Sequence, residues 1–474
     1  MGFMPDVEQT TAGVLIEVED VIPTINGFRA IPSFKDAGVS ALTSDANSLA
    51  AVEKLDGSSR LFAGTATTLE EASLTAWTDR TRAVGGAYAC DADDRWSFAQ
   101  FGNYTLAANI ADTMQVSTTA AFSDIAGSPQ AAYIAVSEGF VMAANLSTSS
   151  DGWHCSAYLD YSDWTEAIST QCTSGRLIGG GGIVGVKAFG SGFVIFKKRK
   201  MYLASYVGAP IVWQFEEIPG DIGVLANRAA VDIGDQIAFV GNDDFYIFDG
   251  VRANPIGQGI REWFFGNLNQ DFKHKTMATY DDVIGNITFH YCSEGSATGI
   301  PDKAVVYNVR TKKWGAYSAI ILAASSFLQD TIVYDDFGAA FGGGDYDALS
   351  TEIPFDYTIV RGATAYIQTD GLLYTLSGVS TNSSMTMNVF GDDDMFSTIT
   401  RVRPRFVTVP ESSYIQYSYD NDFGDDFTEK STYALTNGKY DLMHSTRWHK
   451  VKFNFAGTIE IVGATISYTP DGEQ

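Results

Sequence analysis

Six turn-forming pairs recur along the chain: Asp56-Gly57, Gly102-Asn103, Glu138-Gly139, Ser191-Gly192, Gly234-Asp235 and Gly285-Asn286. Their spacing is roughly 40 to 50 residues, and short apolar runs flank them, as at 104–107, 140–143, 193–196, 237–240 and 287–290. Units of four short strands at such a period are what a β-propeller requires. A single meander cannot cover both of its faces. Stacking the meanders around an axis covers them and leaves only short edges. Two units also close on related strings, Phe122-Ser123-Asp124 and Tyr161-Ser162-Asp163. A seventh unit with weaker turns is expected from near Gln329. Composition agrees with a β-rich chain, because aromatics reach 13% while charged residues are held to 19%. The expected fold is therefore all-β, a propeller of six to eight blades over residues 46–378. A sandwich or β-solenoid is the alternative.

The flanks differ from the repeats. Residues 1–28 carry five acids (Asp6, Glu8, Glu17, Glu19, Asp20) and no base, and Pro23 and Pro32 punctuate the stretch. Residues 1–45 are expected as an extended N-terminal arm. One helix is expected over 261–268, where Trp263, Phe264 and Leu268 supply an apolar face. Beyond about residue 380, strand runs at 385–389, 400–409, 414–419, 448–455 and 459–468 predict a C-terminal antiparallel sandwich or platform over 379–474.

Charge narrows the function. Lys and Arg number 31 against 57 Asp and Glu, a formal charge of −26. A protein that grips phosphates needs the opposite balance, so a simple nucleic-acid binder is excluded. The longest apolar run, 319–328, falls short of the roughly 20 residues of a membrane span. The first ten residues have neither a basic nor an apolar leader region, and Asp6 breaks a myristoylation signal. Cys90, Cys155, Cys172 and Cys292 show no metal-type spacing, and so few thiols point to folding in a reducing compartment. A Cys155–Cys172 bridge stays open as the exception.

Motifs for catalysis or cofactors are weak. Gly180, Gly182 and Gly185 formally match a dinucleotide fingerprint, but strand material follows them instead of a helix. The five histidines (His154, His274, His290, His444, His449) form no ligand set. The acidic stretch from Asp420 to Asp426 misplaces the glycine and glutamate of an EF-hand, and reads as a solvated turn or a different calcium loop. No glycosidase or nucleophile-elbow signature appears. No catalytic residue, metal or cofactor is assigned, and the chain is expected not to be an enzyme. Two charged clusters remain. Lys197, Lys198, Arg199 and Lys200 form a hairpin tip, a candidate contact for an acidic partner or DNA, or simply a solvated turn. Asp392, Asp393 and Asp394 form an acidic loop.

Several longer strings carry a resemblance. They are Trp96-Ser97-Phe98-Ala99-Gln100-Phe101-Gly102-Asn103, Asp160-Tyr161-Ser162-Asp163-Trp164 and Tyr206-Val207-Gly208-Ala209-Pro210. Phe245-Tyr246-Ile247-Phe248-Asp249-Gly250, Pro255-Ile256-Gly257 and Glu262-Trp263-Phe264-Phe265 form the longest set, and Thr400-Arg401-Val402-Arg403-Pro404-Arg405-Phe406 lies near the C-terminus. Over about residues 50–470 the chain resembles the tail-hub or nozzle proteins of tailed bacteriophages, the packaged-DNA stabilisation type of short-tailed phages. The resemblance implies a virion structural protein, a propeller subunit with a β-rich platform. Such subunits form a homo-oligomeric ring, usually six-fold, below the portal and its connector adaptors and beside tail fibres or spikes. The ring retains packaged double-stranded DNA and passes it at ejection, after assembly in the host bacterial cytoplasm. The acidic balance fits a wall along which DNA slides, and Asp392, Asp393 and Asp394 are the candidate lumen-facing loop. The alternative function is a carbohydrate-binding or glycan-degrading propeller used in host-surface recognition.

Overall fold

The computed structural model describes residues 1–73, 75–91, 93–326, 364–424 and 426–472. The predicted unit start at Gln329 lies outside these residues. Strands dominate, with one α-helix, Arg261–Asn267, among the described residues. The fold is a β-propeller. Five free-standing blades are four-stranded antiparallel sheets at 48–79, 97–124, 131–176, 183–218 and 230–255. A sixth four-stranded sheet combines Ala323–Ser326, Thr364–Ile367 and Leu373–Leu376 with Phe34–Asp36 from the N-terminal region. The meander 277–318 fills the remaining place in the ring and continues through its last strand into a nine-stranded sheet.

Each innermost strand packs on those of its neighbours. The ring runs from Ser48–Glu53 through Ser97–Phe101, Ala131–Ser137 and Ile183–Phe189 to the 3-10 turn Asn227–Ala229. It continues through Ala230–Asp232, Met277–Asp281 and Ala323–Ser326 and returns to Ser48–Glu53. The core follows this layout, with apolar clusters between adjacent blades. Phe140, Met142 and Trp153 of one blade meet Phe193, Ile195 and Trp213 of the next, with the Phe140 and Trp213 rings 5.3 Å apart. The turns read from sequence have a local cause. At Glu138-Gly139 both residues take positive φ, 50° and 76°, and Ser137 pairs directly with Phe140. That is the two-residue hairpin whose twist matches its strands.

Residues 382–472 contribute most of a two-sheet sandwich. Asn382–Met387, Ser412–Asp420, Thr428–Ala434 and Trp448–Ala456 build one sheet. Phe396–Thr408, Tyr440–Thr446 and Glu460–Gly472 build the other. Met385, Ile415 and Phe453 face Ile399, Val402 and Leu442 in a buried core that runs on into the propeller.

The expectation of a free N-terminal arm is corrected. Gly2–Phe3 and Val14–Glu19 join the first platform sheet, the latter beside Asn382–Met387. Val21–Pro23 and Phe28–Ala30 link the meander 277–318 to Glu460–Gly472, through Val21 opposite Ala316 and Phe28 opposite Ile461. Phe34–Asp36 then closes the last blade. The five acids of this stretch find partners within the chain. Glu17 accepts from Thr386 at 2.9 Å and Glu19 from Ser384 at 2.8 Å. Asp20 accepts the Ser318 N–H at 3.0 Å, and Glu8 accepts from Thr10.

Asp6 has the most distinct task. The first N–H groups of a helix lack partners within it, and Ile260, at the cap position, has no side-chain acceptor. Asp6 supplies one from far away in sequence, accepting from Glu262 N–H at 2.8 Å and Trp263 N–H at 2.7 Å. The helix then seats Phe264 against Phe245 and Tyr291, with ring centroids 4.6 and 4.8 Å apart. Asp6→Ala is expected to cost about 1–2 kcal/mol, measured by chemical denaturation. An unchanged midpoint would remove this role for Asp6.

Candidate functional site

Of the four cations at the predicted hairpin tip, two are already engaged. Gly192–Lys197 is a fully buried strand, and Lys197 at its end turns inward to donate through Nζ to the Leu177 carbonyl. Lys200 pairs with both carboxylate oxygens of Glu217, at 2.7 and 2.8 Å. The glycine run that mimics a dinucleotide fingerprint is a clamp on this tip. Gly180 and Gly182 carbonyls accept the Arg199 and Lys198 N–H groups at 3.1 and 3.2 Å. Exposed side chains remain at Lys198 and Arg199, which make no ion pair among the described residues. The available contact is thus half of what the sequence predicts.

Asp392, Asp393 and Asp394 are exposed and sit on the platform, just after the short strand Phe390–Gly391. Asp392 Oδ1 accepts the N–H groups of Asp394 and Met395, at 2.8 and 3.1 Å. Asp393 accepts from Trp448 Nε1 at 3.0 Å. The loop is therefore a shaped acidic projection in which two of the three carboxylates anchor their surroundings. Asp420 behaves similarly. Its carboxylate accepts from Asn421, Asp422 and Gly424 N–H groups, and the Gly424 bond holds it below the usual carboxylate range. Asp425, part of the calcium reading, lies outside the described residues.

The four cysteines are buried and free. Cys172 Sγ lies 3.2 Å from the Cys155 carbonyl and 3.5 Å from His154 Nε2, but burial pushes its thiol up to about 12. That environment keeps it protonated and unsuited to attack. His449 is enclosed between Ser397 and Tyr417 at 2.9 and 2.8 Å, and burial pushes it down to about 4. It is a neutral, satisfied core group.

The propeller axis holds a charged arrangement that sequence reasoning missed. Arg228, from the 3-10 turn Asn227–Ala229, reaches across the ring. Its guanidinium donates to the carbonyls of Asn47 and Leu49, each at 3.2 Å, and of Ala324 at 2.9 Å. Three separated parts of the ring are thus tied by one side chain. Beside it is a cavity of about 330 Å³ lined by the inner strands, with Lys187, Asn227 and Arg228 on its wall. Burial, then the Arg228 charge, push the Lys187 ammonium down to about 8. Burial, then the Arg95 charge, likewise disfavour the Arg228 cation. The Asn227 side-chain oxygen is buried without a hydrogen-bond partner. A space of this size has room for a small molecule but not for a polymer.

No protein family matches this chain, and no curated protein does. Similar solved structures include the computationally designed Ika8 protein, at 9% identity and a TM-score of 0.38, over 72% of this chain and 98% of that one. YCF48 bound to D1 peptide matches at 11% identity and a TM-score of 0.39, over 73% and 99% of the two chains. BamB from Moraxella catarrhalis matches at 7% identity and a TM-score of 0.38, over 76% and 96%. These likenesses concern the β-propeller fold alone.

Proposed function

We propose that this chain is a structural subunit of a virion tail, one member of a ring-shaped hub or nozzle that continues the DNA channel below the portal and connector. The observation that carries the reading is the charge layout. Net charge is −26, and many of the few cations are spent on internal pairs. Arg60 and Arg80 share Glu71, Arg82 bridges Asp112 and Asp124, and Arg401 and Lys439 share Asp441. Lys450 and Lys452 face Glu17 and Glu19. What remains outside is mostly acid, which repels phosphate and suits a wall that passes DNA without holding it. Because Arg228 crosses the propeller axis, DNA would run between copies of the subunit and not through any one propeller. The stitched N-terminus supports a structural role, since it joins propeller and platform through shared sheets.

The test is native mass together with negative-stain class averages of the purified chain, and a search for it in virions. A closed ring with a central hole and a mass of about six subunits is the expected result. Absence from virions would overturn the reading. A lone disc that binds glycans, and loses binding when one carboxylate is replaced, would favour the carbohydrate-binding alternative.

A further inference from the structure

We propose that the axial cavity of the propeller binds a small oxyanion, held between Lys187 and Arg228. The residues around the cavity argue for it together. The chain has nearly twice as many acids as bases, yet Lys187 and Arg228 face this cavity and no Asp or Glu lines it. Lys187 projects from the inner strand Ile183–Phe189, and its ammonium makes no hydrogen bond or ion pair among the described residues. Arg228 spends three N–H bonds on carbonyls, and a guanidinium has five to give. Gln100, also on the wall, is tied to Gly102 and Thr105, so it does not compete for a ligand.

Two half-buried cations on one wall repel, and each loses part of its hydration. Asp232, at the end of its own inner strand, is the acid that partly offsets the Lys187 charge, and it is not on the cavity wall. An anion accepting from both cations would relieve the repulsion and supply the missing acceptors. The cavity volume, about 330 Å³, admits a phosphate-sized or short carboxylate ion. The site needs no second copy of the chain, so it stands or falls apart from the ring.

The experiment is equilibrium dialysis of the full chain against inorganic phosphate and, separately, acetate, with chloride holding ionic strength constant. Thermal unfolding is followed in the same buffers. Saturable binding of either anion at about one per chain is expected, with a midpoint rise of about 2 °C or more over chloride. Lys187→Met should weaken binding at least tenfold while circular dichroism stays unchanged. Lys187→Gln serves if the methionine variant does not fold. A response to phosphate alone or acetate alone supports the site and defines the oxyanion it takes. Saturable binding of neither anion overturns the proposal, as does equal binding by the folded Lys187 variant.

Discussion

A chain lacking residues 1–37 is expected to lose its cooperative unfolding transition altogether. The deleted stretch buries Phe3, Leu15, Val18, Val21, Ile22 and Phe28. Each such side chain contributes about 1.5–3 kcal/mol on burial, and a whole domain is stable by only about 5–15 kcal/mol. Six of them together therefore match or exceed the entire margin. The deletion also strips the helix of its Asp6 cap and leaves Leu373–Leu376 without Phe34–Asp36. Damage should reach both halves, because the same stretch pairs with the propeller and with the platform. Calorimetry and limited proteolysis would show it as a broad, low-enthalpy melt and cleavage throughout. A truncated chain that melts sharply within a few degrees of the full one would show that the N-terminal strands are accessory.

Arg228→Ala is the second large effect. The substitution removes three charge-assisted bonds to carbonyls of the inner ring. A hydrogen bond from a charged donor contributes about 1.5–3 kcal/mol, and relief of a poorly solvated cation offsets part of the loss. A net cost of about 2–4 kcal/mol follows. Arg228→Lys should recover little, because a single ammonium cannot span two acceptors in one blade and a third in the next. Arg228→Met should fall between, since it keeps volume and drops the charge. Urea unfolding of the three variants orders them. If alanine and wild type share a midpoint, the bonds across the axis are not a structural tie.

The repeating blades were legible because their turns are written locally. Gly57, Gly102, Gly139, Gly234 and Gly285 all take positive φ, the conformation that makes glycine informative. Gly192 is the exception, lying inside a strand while Gly190 makes the turn. The threading of the N-terminus had no such signature. Nothing near Phe28 states that it pairs with Ile461, and acids without neighbouring bases look like a solvated arm until their distant partners are known. The basic run misled for a different reason. Charge in a sequence has no direction: Lys197 ends a strand buried along its whole length and turns inward, while Lys198 lies past that strand and is exposed. Lys187 and Arg228 each look ordinary alone, and only the circular stacking of inner strands brings them to one cavity.

The closing strand has a consequence for how the molecule is made. Phe34–Asp36 leaves the ribosome long before its partner Leu373–Leu376. For most of translation the ring stays open, with a strand edge waiting for a mate. Only a nascent chain that has reached residue 376 can shut the circle. A product that stops before residue 373 therefore keeps an unpaired strand edge, the kind that recruits wrong partners.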